Sequence, residues 1–581
     1  MAQSQTPDAA TADAREVKTV EEFDVVVCGS GAGGLLAAVR LHDAGLKPVV
    51  IEKSSRHGGT SATSGGGIWI PLNGLAQKPD DRDQALTYLN AVSKGDYRPD
   101  KLEAYVDNGF EMVAYLGKIG VPMVSVPGFP DYIAGAPGAS SGRSLFPLEL
   151  DGAKLGEEFF RLRESPLSYK LFGRYALNLE QSFSLSERAK GWQWTAAKML
   201  AKYWLDIGWR RKTSQDRRLT MGRALVGGLR RAMLERKIPL IYDCGMTGLV
   251  LEEGKIVAVD AETRGERVRF AAKRGVIVAA GGHEQNQTLR DQLLPVKTDR
   301  NWSLSPANMN VGDGLRCGEE AGAATESLSA NWWAPSMQLP SVTIPNLDVA
   351  VPMYFDHRHP FSLCVNQLGK RFVNESCSYD EFGQAMIADY EATGANLPCW
   401  LVFDAKFRRQ YPCGPILPDF IMPDRKIPQE WWDSYIFKAD DIHALAAKMR
   451  VPPEALSATV ERMNGFAKTG KDEDFGRGEN GFDRFFGKDH GGPNPCFGAI
   501  DQGPFYAVRI DLGDLGTKGG LKTNAQAQVL ATDGAPIGNL YAVGNSSGSP
   551  FGNCYPGAGG TIGPAMTFAF IAANHIAQQA R

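Results

Sequence analysis

The chain has 581 residues, of which 43% are hydrophobic, so it can bury a large core, which we expect to be divided between two domains. Its net charge of −3 provides no strongly basic field, and we therefore expect no nucleic acid as a partner. The nine cysteines are scattered and never spaced as Cys-x-x-Cys, which argues against a disulfide framework and against a zinc or iron–sulfur site.

Residues 1–20 are small, polar and charged, and they lack the apolar core of a signal peptide. We interpret them as a flexible leader. No stretch approaches the roughly 20 consecutive apolar residues that a membrane-spanning helix needs. Together with the scattered cysteines, these features predict a cytoplasmic protein.

The first predicted unit binds a dinucleotide. A β-branched run at Phe23–Cys28 predicts a buried strand, followed by a glycine turn at residues 29–34, an apolar helical pattern and a second buried strand at Pro48–Ile51. Strand, Gly-x-Gly-x-x-Gly, helix, strand and the acidic Glu52 form a complete βαβ unit, in which backbone N–H groups and a helix N-terminus hold a pyrophosphate. Glu52 is expected to bind the adenosine ribose, which disfavours NADP. The expected contact residues are Gly29, Gly31, Ala32, Gly33, Gly34, Glu52 and Lys53.

The loop after Glu52 distinguishes FAD from NAD. Residues 53–67 are rich in Gly, Ser and Thr, and the loop can pass the pyrophosphate and lie along a ribityl chain and a flavin ring, which NAD-binding domains rarely need. No second strand-embedded Gly-x-Gly-x-x-Gly follows, so the pattern predicts FAD without a separate NADH site. The loop residues expected to contact FAD are Gly59, Thr60, Ser61, Ser64, Gly65 and Gly66.

Two distant segments complete the predicted cofactor site. A buried strand within residues 274–282 ends in a glycine turn, and a strand at residues 540–545 precedes a glycine-rich turn. A helix is predicted from residue 561 to residue 579, and its N-terminus would stabilise negative charge on the reduced flavin. The expected contact residues here are Ala280, Gly281, Gly544, Asn545, Gly560, Thr561 and Ile562.

Four motifs are specific in combination because of their order and spacing. They are GGTSATSGGGIWIPLN at 58–73, GKRFVNES at 369–376 followed by Tyr379, GTKGGL at 516–521, and YPGAGGTIGPAMTF at 555–568. From Phe23 onward, the chain resembles the fumarate reductase/succinate dehydrogenase flavoprotein superfamily, and within it the 3-ketosteroid Δ1-dehydrogenases. The resemblance implies an α/β fold, with a Rossmann-like FAD-binding domain and an inserted α+β substrate (cap) domain.

Some members of that superfamily hold FAD covalently, through a histidine a few residues before a Gly-Gly-Ile turn. When the chain is aligned on residues 66–68, Thr60 occupies that place, and His57 lies too early. The resemblance therefore implies that FAD is bound non-covalently.

Desaturation next to a ketone requires that the carbonyl is polarised, that a base takes the α-proton and that flavin N5 accepts the β-hydrogen as hydride. Tyr555 and the backbone N–H of Gly559 are the predicted clamp on the carbonyl oxygen, a role that the resemblance also implies. It further implies that Tyr379 is the base and that Tyr132 assists it, because an unperturbed tyrosine pKa of roughly 10 must be lowered. The alternative for each tyrosine is an ordinary core or loop residue.

The flavin domain is predicted to be discontinuous, at residues 21–285 and 495–581, with the cap at residues 286–494. A helical insert at residues 153–220 combines tryptophans with lysines and arginines. Such a combination is typical of a helix at a membrane interface, where it would help to capture a lipophilic substrate. The alternative is a packed surface helix with a solvated basic end.

Two segments beside the expected substrate pocket depart from the steroid dehydrogenase pattern, namely FDHRHPF at 355–361 and FGNC at 551–554. The predicted small-molecule partner is therefore a cyclic ketone, either a steroid or a smaller alicyclic ketone such as cyclohexanone. The sequence also leaves open a fumarate reductase-like enzyme that saturates activated double bonds, and a non-catalytic FAD-binding subunit of a membrane complex. The external electron acceptor is not predicted.

Several further polar residues have simpler interpretations. Arg371 and Glu375 are interpreted as an ordinary surface or interdomain ion pair rather than a clamp on a carboxylate substrate. His357 and His359 have no third metal ligand nearby in the pattern, so we expect no metal.

Overall fold

The computed structural model describes residues 18–19, 22–95, 98–186, 189–340 and 350–580. Most of the expected flexible leader therefore lies outside the described residues. Lys18–Thr19 differ from that expectation, because they form a short strand parallel to residues Val268 and Arg269 of the first sheet.

The first sheet has nine strands and contains the predicted dinucleotide unit. At its centre, Phe23–Cys28 lies between Pro48–Ile51 and the second half of Glu266–Val278, and Pro536–Ala542 flanks that long strand on the other side, all in parallel. The first half of the long strand instead pairs antiparallel with Lys255–Thr263. The strands of this sheet are Lys18–Thr19, Phe23–Cys28, Pro48–Ile51, Leu240–Ile241, Cys244–Glu252, Lys255–Thr263, Glu266–Val278, Gln528–Leu530 and Pro536–Ala542.

Close packing explains why this unit forms where the sequence predicts it. The β-branched side chains of Val25, Val26 and Val27 are fully buried, as expected for a parallel strand covered on both faces. The helix Ala32–Asp43 packs against the helix Ile562–Gln579. A Cβ atom at Gly34 would lie 2.1 Å from the Gly29 carbonyl oxygen, so only glycine allows this turn and helix to approach so closely.

The second sheet has six strands and belongs to the predicted cap. Its strands are Asn331–Met337, Val351–Pro352, Ser362–Val365, Cys399–Phe403, Ile436–Ala439 and Phe505–Thr517. The helix Tyr379–Thr393 packs on it, where a Cβ atom at Gly383 would lie 2.5 Å from Trp333 Cβ. The strand Phe505–Thr517 lies beyond residue 494, so this sheet extends past the predicted end of the cap, and the domain boundaries otherwise stay a prediction.

Smaller sheets and seventeen described α-helices complete the fold. The remaining strands are Ile68–Trp69, Met123–Ser125 and Ser144–Pro147 in one sheet, and the pairs Leu150–Asp151 with Arg218–Leu219, Lys170–Leu171 with Tyr175–Ala176, and Thr325–Glu326 with Gly520–Leu521. The α-helices are Ala32–Asp43, Gly59–Thr63, Arg82–Ser93, Pro99–Lys118, Glu158–Arg161, Leu179–Ser186, Trp192–Leu205, Ile207–Arg210, Met221–Glu235, Gln287–Leu293, Asp313–Glu320, Tyr379–Thr393, Ala405–Gln410, Ile442–Met449, Pro453–Thr469, Gly481–Phe485 and Ile562–Gln579. Within the ranges that the structure describes, no helix has the length and apolar character needed to cross a bilayer.

Candidate active site

A cavity opens beyond the carboxyl ends of the central parallel strands, which is where α/β sheets bind their ligands. All but one of the residues predicted to contact FAD line this cavity. Those that do are Gly29, Gly31, Ala32, Gly33, Gly34, Glu52, Lys53, Gly59, Thr60, Ser61, Ser64, Gly65, Gly66, Ala280, Gly281, Gly544, Asn545, Thr561 and Ile562. The exception is Gly560, whose N–H donates to the Gly557 carbonyl oxygen at 2.9 Å. The predicted substrate residues Tyr132, Tyr379, Tyr555 and Gly559 line the same cavity.

The glycine turn is shaped to receive a pyrophosphate. Gly29 has a φ of +115°, and its N–H donates to the Ile51 carbonyl oxygen at 2.8 Å, which closes the turn between the two strands. The N-cap residue Gly31 has no side chain to cap the helix that starts at Ala32. The Ser61 hydroxyl accepts from the Ala32 N–H at 3.2 Å, and the residues of the first turn line the cavity. Glu52 accepts from the Ser30 N–H (3.1 Å) and hydroxyl (2.5 Å) and retains lone pairs for a ribose. These residues fit a dinucleotide such as FAD.

A segment that the sequence motifs did not mark contributes to the cofactor part of the cavity. Asn310 donates to the Thr60 hydroxyl at 3.1 Å and to Glu284 at 2.6 Å, and Asp313 forms an ion pair with Lys53 at 2.7 Å. Both Asn310 and Asp313 line the cavity. Only the tertiary fold brings them to Thr60 and Lys53, since they lie far away in sequence.

The three predicted catalytic tyrosines form one buried cluster. The Tyr379 hydroxyl donates to the Tyr555 hydroxyl oxygen at 2.8 Å, and the Thr561 hydroxyl also donates to it at 3.4 Å. The ring of Tyr132 lies 5.5 Å from that of Tyr379 and 5.3 Å from that of Tyr555, centroid to centroid. The structure thus brings together side chains from three distant parts of the chain.

Local backbone structure positions Tyr379, Tyr132 and Gly559, in a different way for each residue. Tyr379 is the first residue of its helix, which begins with a capping box between Ser378 and Glu381. The N–H of Tyr132 donates to the Pro556 carbonyl oxygen at 3.1 Å, next to Tyr555. Gly559 has a φ of +100°, and a Cβ atom there would lie 2.5 Å from the backbone of Ile68, so the position requires glycine.

Burial sets the electrostatics of the cluster. It raises the pKa of Tyr379 well above its usual value, and the neighbouring phenols of Tyr132, Tyr555 and Tyr354 add to this effect. Burial also raises the pKa of Tyr555, although hydrogen bonds from Thr561, Tyr379 and the backbone N–H of Gly559 oppose it. A phenol in this cluster therefore keeps its proton at neutral pH unless a further positive charge stabilises its anion.

The substrate part of the cavity contains aromatic residues that the motifs did not predict. They include Tyr354, Phe355, Phe482 and Phe486, together with the cation Arg358. Phe355 and Arg358 belong to the segment 355–361. The departure of this segment from the family pattern is the sequence feature that could have identified them as cavity residues. No motif marks Phe482 and Phe486, which reach the cavity from the helix Gly481–Phe485 and the residue after it.

The remaining candidates have structural roles. Arg371 pairs with Glu375 at 2.7 Å and with Asp472 at 2.8 Å, and all three side chains are buried, so this ion pair does not lie on the surface. The Nδ1 of His357 lies 2.6 Å from the Glu375 carbonyl oxygen, and the ring of His359 stacks on Tyr411. Within the described ranges, no group of three or more His, Cys, Asp or Glu side chains is placed to hold a metal ion.

Comparisons with known proteins agree with this geometry. Residues 24–562 match the FAD binding domain family. The chain is 38% identical to the 3-oxosteroid 1-dehydrogenase of Mycolicibacterium smegmatis, over 97% of this chain and 98% of that protein. It is 36% identical to the 4-oxocyclohexanecarboxylate 2-dehydrogenase of Sinomonas cyclohexanicum, over 96% of this chain and 93% of that one.

A solved structure extends the likeness to three dimensions. The crystal structure of 3-ketosteroid Δ1-dehydrogenase from Sterolibacterium denitrificans, in complex with 1,4-androstadiene-3,17-dione, superposes with a TM-score of 0.93. The two chains are 40% identical, and the match covers 96% of this chain and 100% of the other. The glycine turn, the shared cavity and these relatives lead to one conclusion: the chain belongs to the FAD-binding-domain family, as an FAD-dependent oxidoreductase of the 3-ketosteroid Δ1-dehydrogenase type.

Proposed function

We propose that this enzyme introduces a double bond between the α and β carbons next to the carbonyl of a 3-oxosteroid. The observation that carries the proposal is the contact between the Tyr379 and Tyr555 hydroxyls, 2.8 Å apart, in the cavity that also contains the glycine turn. The named activities of the relatives support the same reaction.

The carbonyl clamp follows from the direction of the hydrogen bonds at Tyr555. Its oxygen accepts from Tyr379 and from Thr561, so its own hydrogen remains available for a ketone oxygen. The Gly559 N–H helps to lower the pKa of this hydroxyl, and it is the proposed second donor to a ketone oxygen bound beside Tyr555. Two aligned donors in a water-excluded site stabilise the negative charge that develops on the oxygen as the α-proton leaves.

Tyr379 is the proposed base for the α-proton, and Tyr132 assists it. Both phenols lie within the same buried cluster, with their ring centroids 5.5 Å apart. Bound FAD supplies the two-electron acceptor for the β-hydrogen. The protein orients the ketone, excludes water and removes the α-proton.

We also propose that FAD is bound non-covalently. All eight histidines lie within the described ranges, and none of them lines the cavity. His57 is fully buried, and its Nδ1 lies 2.9 Å from the Tyr242 hydroxyl. Thr60, which does line the cavity, offers no nucleophilic ring nitrogen to the flavin.

Anaerobic mixing of the yellow holoprotein with different ketones tests the reaction and its substrate class. Rapid flavin bleaching by androst-4-ene-3,17-dione, but not by cyclohexanone or 4-oxocyclohexanecarboxylate, is the expected result. Bleaching by a cyclohexanone alone would assign the smaller ring instead. No bleaching by any ketone, together with reoxidation of the reduced protein by fumarate, would point to a reductase.

An apolar and basic surface of the insert supports a proposed contact with a membrane. We define the insert patch as the exposed side chains Trp194, Trp204, Leu205 and Ile207 with the exposed lysines and arginine around them. Leu205 and Trp194 are the most exposed of these, at 77% and 71%. Lys198, Lys202 and Arg211 would meet anionic headgroups while the apolar side chains enter the interface.

Vesicle co-sedimentation tests the insert patch. The holoprotein is expected to sediment with anionic phospholipid vesicles, and the double substitution Trp194→Glu with Leu205→Glu is expected to abolish this. Leu251→Glu, at a half-exposed leucine of the first sheet, is the matched control and should bind like the unchanged protein. Equal binding of both variants would contradict the proposal.

A further inference from the structure

Arg358 is a buried cation in the substrate part of the cavity that has no role in the mechanism above. It ends the short 3-10 turn Asp356–Arg358, and its side chain is 3% exposed. One guanidinium nitrogen, Nη2, donates to the Cys377 carbonyl oxygen at 2.9 Å. The other two, Nε and Nη1, have no hydrogen-bond partner among the described residues.

Three phenylalanine rings pack around the Arg358 guanidinium. The guanidinium carbon lies 5.2 Å from the ring centroid of Phe355 and 4.6 Å from those of Phe482 and Phe486. No described carboxylate forms an ion pair with it, whereas the buried Arg143 and Arg290 each have one at 2.7 Å or closer. A buried guanidinium with unused donors and no counter-ion is a site for negative charge.

One candidate for that negative charge is the phenol of Tyr132. Arg358 and Tyr132 pack on the same ring, since the ring centroid of Tyr132 lies 5.1 Å from that of Phe482. Burial raises the pKa of Tyr132 well above its usual value, and the charge of Arg358 and the hydrogen bond with Tyr379 act against this rise. Tyr379, the proposed base, thus lies next to the phenol on which Arg358 acts, with the two ring centroids 5.5 Å apart.

The other charged groups around the two phenols do not supply a free positive charge. Asp380 and Lys518 pair with each other at 3.0 Å, so their charges cancel. The phenols of Tyr354 and Tyr555 are neutral donors and acceptors.

The acidic groups near Arg358 do not neutralise it. Burial lowers the pKa of Arg358, and the groups that oppose this effect are Tyr132, Cys377, Asp483 and Glu381. Neither Asp483 nor Glu381 forms an ion pair with Arg358, and Glu381 is used in the capping box.

We propose that Arg358 is the counter-charge of the base: its guanidinium stabilises the negative charge that the Tyr132–Tyr379 pair carries before it takes the α-proton. Before the reaction, the Tyr132–Tyr379 pair has lost one proton and carries one negative charge. When the C–H bond at the α carbon breaks, the proton goes to the Tyr379 oxygen, and the hydrogen of Tyr379 passes to the neighbouring Tyr132 oxygen. The electron pair of the C–H bond enters the enolate held by Tyr555 and Gly559, and the tyrosine pair becomes neutral. Arg358 acts through Tyr132, by stabilising the negative charge of the tyrosine pair, and is therefore a positioning residue. The inference rests on the proposed function.

Arg358→Met tests the proposal, because methionine keeps an apolar stem against the phenylalanine rings and removes the charge. The pH midpoint of ketone-dependent flavin reduction is expected to move upward by about one to three pH units, the range for loss of a nearby opposite charge. Below the midpoint, the reduction rate falls roughly 10- to 1000-fold and recovers as the pH rises. Arg358→Lys keeps the charge and should keep the midpoint. If the methionine variant loses FAD, Arg358→Gln makes the same comparison.

A pH titration of phenolate absorbance in the ketone-free holoprotein gives a readout that does not depend on turnover. One phenol is expected to ionise at a lower pH in the unchanged protein than in Arg358→Met, and Tyr132→Phe should remove most of this difference. A midpoint that stays the same in Arg358→Met overturns the proposal, whatever happens to the rate. A loss confined to KM for 4-oxocyclohexanecarboxylate, with androst-4-ene-3,17-dione unaffected, overturns it in favour of a substrate carboxylate site. If no ketone reduces the flavin, the proposed function fails, and the titration still decides the role of Arg358.

Discussion

Tyr555 differs from an ordinary buried tyrosine in that its oxygen already accepts hydrogen bonds from two side chains, and its own hydrogen is not used by them. Tyr555→Phe removes this donor and leaves the glycine turn intact. We expect the variant to retain FAD and to lose flavin reduction by ketone roughly 100- to 1000-fold, as for removal of one donor from an oxyanion site. Anaerobic stopped-flow absorbance measures both properties.

The matched control for that substitution is Tyr541→Phe. Tyr541 is also buried, and its hydroxyl lies 2.9 Å from Nδ1 of His575, outside the cavity. Its loss should leave ketone-dependent reduction within a few-fold of the unchanged protein. Equal rates in both variants would remove Tyr555 from the carbonyl clamp.

Glu284 is a fully buried carboxyl group beside the cofactor residues, and one of its oxygens, Oε2, has no hydrogen-bond partner among the described residues. Burial, with a contribution from Asp514, raises its pKa to about 7. Because a raised carboxyl pKa favours the protonated folded state, stability is expected to fall as the pH rises from the ordinary glutamate range to about 7. Between these limits the loss is about 3 kcal/mol.

Glu284→Gln should therefore unfold at a higher temperature than the unchanged protein at pH 8, and at a similar temperature at pH 5. The amide keeps an acceptor for Ser305 and Asn310 and cannot ionise. Thermal unfolding of both holoproteins at the two pH values measures the effect. A gain in stability that is the same at both pH values would show that ionisation of Glu284 is not the cause.

At the scale of elements, the helix Tyr379–Thr393 carries the proposed base at its first residue, so its cap also positions that base. Ser378→Ala removes the side-chain acceptor of the capping box, and we expect it to destabilise the protein by about 1 kcal/mol and to slow flavin reduction. Asp441→Ala removes a comparable cap from the helix Ile442–Met449, away from the cavity. It should cause a similar loss of stability without slowing reduction, which denaturant unfolding and stopped-flow absorbance can compare.

Local patterns explain which elements the sequence predicts well. The strands Phe23–Cys28 and Pro48–Ile51 lie where the sequence predicts them, because short β-branched runs and glycines determine that unit locally. No element was predicted where the helix Tyr379–Thr393 lies, although Ser378 and Glu381 have the spacing of a capping box. The contact of Arg358 with Phe482 and Phe486 could not be predicted from the sequence, since only tertiary packing places them together.

At the scale of the whole molecule, the cofactor cavity is lined by segments spread from Cys28 to Ala565, so FAD should stabilise the folded chain as a unit. We expect excess FAD to raise the unfolding temperature, by the equivalent of about 2.7 kcal/mol at one hundred times Kd. Acid precipitation of the yellow holoprotein should release the flavin into the supernatant. A yellow pellet that keeps its colour would show a covalent bond and contradict the proposed attachment.

The order of strands in the first sheet has a consequence for biosynthesis. The glycine turn follows Phe23–Cys28, yet this strand is completed by Glu266–Val278, which in turn pairs with Pro536–Ala542. The helix Ile562–Gln579 then packs on the helix of the glycine turn. A ribosome therefore makes the phosphate-binding turn long before the residues that enclose it, and such long-range pairing forms slowly. We therefore expect FAD to bind after translation, and a low supply of FAD to prolong the exposure of the open apoprotein to proteases and aggregation.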